Sequence, residues 1–103
     1  MQDKINQIQD LYRQWQQLQP KLAQAQQDWQ QSCAIMQQLN DFYFDGEYRE
    51  FYEAIENGAK VDLTTQGEYS VMSEDALWNA FHEHQHMAWQ RLRSAMAELD
   101  PEQ

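Results

Sequence analysis

Apolar residues recur every three or four positions at Ile5, Ile8, Tyr12, Trp15, Leu18, Leu22, Ala25, Trp29, Cys33, Met36, Leu39 and Tyr43. In an α-helix that spacing keeps every one of them on a single face, so the pattern predicts one helix over residues 2–43. Gln fills most of the other faces, with fourteen of the first forty positions. It is a good helix former that keeps a surface polar without charging it. Pro20 interrupts the run. It has no N–H to donate and disfavours helical geometry at the residue before it. No Gly or Asn stands beside it to reverse the chain, and the stripe continues on the far side. The reading is therefore a single helix kinked at Pro20. The alternative, a turn there, makes two N-terminal helices of a compact bundle.

A seam so long has few partners inside a chain of 103 residues. Spacing near 3.5 residues is also what coiled coils use to dimerise. Cys33 and Met36 lie on the seam, where their expected role is packing. Being the only cysteine, Cys33 makes no internal disulfide, and its sequence neighbours supply no positive charge to activate it.

Asp45 and Gly46 break the first helix, with Asp45 expected as N-cap of a second one over residues 46–57. Tyr48, Phe51, Tyr52 and Ile55 form its apolar face, and Asn57-Gly58 is its stop. The four acids Glu47, Glu50, Glu53 and Glu56 read as a solvated face. Residues 58–73 form an irregular connector pinned by Val61, Leu63, Val71 and Met72, with room for a short hairpin at Gly67. Ser73 is expected to cap the last helix over residues 74–99. Glu74 and Asp75 fall in its first turn, Leu77, Phe81, Ala88, Leu92, Ala95 and Leu99 on its inward stripe, and Pro101 just past its end. Gln85 falls within that stripe, where burial requires hydrogen-bond partners. The fold class expected is all-α: a long kinked N-terminal helix, a short middle helix and a long C-terminal helix, packed as a small bundle in one domain of residues 1–103.

Charge is unevenly spread. The net −10 comprises zero over residues 1–40, −8 over residues 41–75 and −2 over the remainder. Such a chain repels phosphate backbones and anionic lipid surfaces, which argues against nucleic acid or membrane as partner. No basic-then-apolar leader and no apolar run of spanning length is read in the sequence. A reduced cytoplasmic setting is expected.

One string carries chemistry. Residues 82–86, HEHQH, match H-E-x-x-H, in which two histidines one turn apart bind zinc and the Glu activates water. His82 and His86 are thus the candidate metal ligands. Three features oppose a peptidase. His82 and His86 sit at the edge of the inward stripe while Glu83 points away. No third ligand follows, since Trp89 stands where the metzincin extension needs Gly. A small helical chain offers no cleft for a peptide.

The strings DFYFDGEYREFYEAIENG, VDL and VMSEDALW, within residues 39–80, resemble the signature of a family of small bacterial proteins, the domain of unknown function 4298 family. The resemblance implies an all-helical fold and a bacterial cytoplasm. It carries no catalytic residue, cofactor or substrate. The expected function is that of a non-catalytic protein, with no cofactor, that binds a protein partner or a second copy of itself through aromatic-rich helix faces. The runner-up is zinc binding by His82 and His86. A weaker third reading, an acidic mimic of nucleic acid, rests only on the −8 of residues 41–75.

Overall fold

A computed structural model describes residues 1–100. The chain forms three helices, α1 (Gln2–Phe44), α2 (Glu47–Glu56) and α3 (Ala76–Leu99), and no strand among the described residues. It is all-α, as expected. The expected stop at Pro101 lies outside the described residues. Two compact units divide the chain, Met1–Ile35 and the part from Met36 onward.

The first unit is the part of α1 up to Ile35. Pro20 lies inside the helix, which continues through it without forming a hairpin. Pro has no N–H, so one helical bond is missing there, a cost of about 3 kcal/mol in a helix interior. Good helix formers on both sides offset it. Side-chain pairs one turn apart add a few tenths of a kcal/mol each. Gln2 donates to Asn6 at 3.0 Å, Gln24 to Asp28 at 3.0 Å, and Arg13 pairs with Asp10 at 2.8 Å. Asp3 sits in the first turn, where the exposed N–H groups favour negative charge.

The second unit is built on aromatic contacts. Phe42 meets Tyr48 edge-on, with centroids 6.1 Å apart, and lies 5.7 Å from Phe51, which joins the end of α1 to α2. Tyr43 lies 4.9 Å from Tyr48. Phe44 meets Phe81 of α3 edge-on at 5.3 Å. Such pairs are worth about 0.5–1.5 kcal/mol beyond the area that they cover. Leu77, 5% exposed, is the one buried residue among those described. The phenol of Tyr48 donates to the carbonyl oxygens of Met72 and Ser73, at 3.2 and 3.3 Å, and so ties α2 to the segment that leads into α3.

Two expected caps are corrected. Asp45 does not cap α2. Its N–H bonds the carbonyl of Asp41 at 3.1 Å, so it closes α1 instead. The N-cap position is Gly46, with φ at +103° and no side-chain hydrogen bond. A reversal completed in two residues forces the left-handed region, which only Gly enters without steric cost. Ser73 does not cap α3 either. Its N–H is held by Ser70 at 3.0 Å and its carbonyl by Tyr48, so the helix begins only at Ala76, with Asp75 in the cap position and no side-chain bond. Glu74 and Asp75 therefore lie outside the first turn.

The stop of α2 is as expected and is a Schellman motif. Gly58 donates to Ile55 at 3.0 Å and Ala59 to Ala54 at 2.9 Å, with Gly58 at φ +97°. Between α2 and α3 no hairpin forms. Asp62 accepts the N–H of Thr64 at 2.9 Å, the Thr65 hydroxyl donates to the Glu68 carbonyl, and Gly67 turns at φ +97°. The Thr64 bond holds the Asp62 carboxyl below its ordinary pKa. The expected stripe of α3 is covered over only part of its length. Leu77 is buried and Phe81 and Ala88 are half-buried, whereas Leu92 and Leu99 are exposed. On α2 only Tyr48 and Ile55 are half-buried, while Phe51 and Tyr52 remain exposed.

Two outcomes are expected. Gly46→Ala has nothing within 4 Å of the added Cβ, so only backbone strain opposes it. It should lower unfolding free energy by about 1–2 kcal/mol in denaturant titration. Burial raises the Tyr48 pKa above 10.0, helped by neighbouring Tyr43, Tyr52, Glu74 and Asp75. A raised folded-state value means that the stability it confers is complete below the unfolded pKa and is lost as pH rises through the folded one. Melting curves of wild type and Tyr48→Phe should thus converge as the pH climbs above 10.

Candidate functional site

The candidate metal ligands occupy the first half of α3. The imidazole of His82 packs on Trp78, with centroids 4.3 Å apart and planes at 70°, and on Phe81 at 5.2 Å. His82, Glu83 and His86 are exposed, and His84 is half-buried. Helical spacing thus sets His82 and His86 one turn apart, but no group of three His, Cys, Asp or Glu residues that could hold a metal forms among the described residues. Two imidazoles leave a zinc shell half filled from the protein, and a zinc held in that way is open to water on the remaining sides. Gln85 is exposed, contrary to the buried position expected for it. The half-buried positions around it are Phe81, His84 and Ala88, so the covered face of α3 runs beside Gln85 and not over it.

The first unit carries a continuous stretch of apolar surface. Ile5, Ile8, Leu11, Tyr12, Trp15, Leu18 and Leu22 are each between 48% and 55% exposed. On a helix the neighbouring turns cover about half of a large side chain by themselves, so these values are those of a seam with nothing laid over it. Leu11 was not in the sequence stripe. Its signal is its place three residues after Ile8 and seven before Leu18, which widens the seam to more than a single row. Trp29 further along is half-buried. Near the start of the seam, Lys4, Ile5, Ile8, Gln9 and Tyr12 line a shallow concavity of about 480 Å³.

The second unit has a smaller apolar recess of about 210 Å³. Phe51, Ala54 and Ile55 of α2 form one wall, and Ala59, Val61, Leu63 and Met72 of the connector form the other. Three of the four residues expected to pin the connector, Val61, Leu63 and Met72, therefore line an open recess, and the fourth, Val71, is exposed. Val61 is 57% exposed and Leu63 42%. No polar side chain enters it, so it holds no group to orient a substrate. The acids of α2 are exposed at Glu47, Glu50, Glu53 and Glu56, as expected of a solvated face. No helix is long and apolar enough to cross a membrane among the described residues.

Chemically, then, the described surface offers apolar and aromatic faces, with no convergent set of acid, base and nucleophile. A family model described as Domain of unknown function (DUF4298) matches residues 5–94. No curated protein and no solved structure matches the chain.

Zinc provides the direct check on His82 and His86. A ligand that binds only the folded state must raise the melting temperature. With two exposed histidines and no third ligand beside them among the described residues, the expected result is no shift with equimolar zinc and none with chelator. A rise that His82→Ala abolishes would instead establish a site.

Proposed function

We propose that this chain, which belongs to the DUF4298 family, is a non-catalytic association protein whose contact surface is the apolar seam of residues 1–35. The observation that carries this reading is the run of seven large side chains from Ile5 to Leu22, all about half exposed. Contiguous apolar patches of that size are uncommon on monomeric proteins and mark interaction surfaces. Each such side chain has on the order of 100 Å² left to bury. Together they approach the ~800 Å² per partner of a standard stable interface.

Charge supports a protein partner. Residues 1–40 carry three acids and three bases, so two such seams approach without net repulsion. The chain as a whole, at −10, is repelled by nucleic acid. Aromatic residues on the seam, Tyr12 and Trp15, are of the type that dominates binding energy at interfaces. This association is assigned to a reducing cytoplasm, in which a single thiol such as Cys33 persists without a structural disulfide.

Sedimentation equilibrium tests the reading. The wild-type protein should show a multiple of its 12.4 kDa chain mass, with a melting temperature that rises with protein concentration. Leu11→Glu combined with Leu18→Glu buries two unpaired carboxylates in the seam and should return the protein to the chain mass, with helix content retained over residues 36–100. A wild-type protein that stays at the chain mass at every concentration, with no change in the variant, removes the self-association reading.

A further inference from the structure

We infer that the seam pairs with the same seam of a second copy running in the opposite direction, in a register that sets Ile8 opposite Cys33 of the partner subunit. The inference rests on the association reading above and adds direction, register and the identity of the occupant. Three observations carry it.

The first is charge along the chain. The seam is neutral, but the run that follows it in sequence, residues 41–75, carries −8. A parallel pair brings the starts of two such runs to the same end. An antiparallel pair sends them to opposite ends of a helical seam roughly 50 Å long. That is several Debye lengths at physiological salt, so the repulsion is screened out.

The second is size. The first part of the seam carries Ile8, Leu11 and Leu18, and the small residues on or beside it, Ala25, Ser32 and Cys33, fall in the second part, between the bulky Leu22, Trp29 and Met36. In parallel register Tyr12 lies on Tyr12 and Trp15 on Trp15, while the small residues face one another across a gap. Close packing favours large against small, which the antiparallel arrangement supplies at Ile8, Leu11 and Leu18, while Tyr12 meets the ring of Trp29 of the partner subunit as an aromatic pair.

The third fixes the register. A seam repeating every 3.5 residues allows antiparallel pairings one heptad apart. With the two-fold axis between Pro20 and Lys21, Leu11 falls beside Ser32 of the partner subunit and Leu18 beside Ala25 of the partner subunit. The indole N–H of Trp15 then faces the amide of Gln26 of the partner subunit, and a buried Trp needs such an acceptor. Moving the axis back by half a heptad sets Leu18 against itself and Ile8 against a Gln, which loses both matches.

Cys33 makes the arrangement readable. It is exposed and is the chain's only cysteine. In the inferred pair the two Cys33 residues lie roughly 40 Å apart along the axis, too far for a bridge. Dilute wild-type protein treated with a thiol oxidant should therefore remain free of covalent dimer on a non-reducing gel. Ile8→Cys should convert most of the protein to covalent dimer, through Cys33 of the partner subunit. Ile8→Cys combined with Cys33→Ser should not cross-link. A second pair, Tyr12→Cys with Trp29→Cys in the Cys33→Ser background, reads the same register independently, and circular dichroism verifies that each variant stays helical. Bridging of wild type through Cys33, or of the Ile8→Cys, Cys33→Ser variant, overturns the inference in favour of a parallel pair. A dimer by sedimentation that neither engineered pair can bridge overturns the register. Protein that sediments at the chain mass removes the association reading itself, and the three failures are thus told apart.

Discussion

The phenol of Tyr48 is the contact on which the second unit depends. Its hydroxyl donates to two successive carbonyls, those of Met72 and Ser73, and its ring lies against Phe42, Tyr43 and Tyr52. One side chain therefore joins the end of α1, the short α2 and the turn before α3. Without that bond the Met72 and Ser73 carbonyls lose a donor, and what positions the start of α3 is lost with them. The delayed onset of α3 follows from the same contact, because a Ser73 whose carbonyl is fixed by Tyr48 is committed to a turn.

Burial elsewhere is thin. Among the described residues Leu77 alone is buried, and the rings of Phe44 and Phe81 cover one another edge-on while Phe44 stays half open to water. Aromatic edges tolerate such half-burial better than aliphatic cores do, because their contacts are partly electrostatic and directional. A long helix normally draws most of its stability from packing along an apolar face. Over residues 1–35 that face is present in the sequence and open in the structure. Stability of the first unit and occupancy of its seam are in that sense one question.

The chemistry-bearing residues are spread, not gathered. His82 and His86 share a helical turn, yet the ring of His82 is laid on Trp78 and Phe81 like any other edge-of-core aromatic. The glutamates of α2 lie open on its surface. What the chain concentrates in one place is apolar surface.

The order of helices was legible because it depends on local terms. The three-to-four spacing of the seam, the Gln background and the Asn57-Gly58 stop act within a few residues of themselves, and the structure follows them, through Pro20 included. The seam as a candidate surface was legible for the same reason, short of Leu11. The caps at Asp45 and Ser73 were not, because each residue was already engaged by a neighbour in space, Asp45 by the carbonyl of Asp41 and Ser73 by Ser70 and Tyr48. Nor was the exposure of Gln85, Leu92 and Leu99, since periodicity marks which face a helix can bury and says nothing of how far along it a cover extends. The sequence by itself determined the helices and their apolar faces, which are properties of single segments. Only the tertiary structure decided which parts of those faces are covered, because burial depends on what lies opposite, and from Ile5 to Leu22 the large seam residues stay about half exposed.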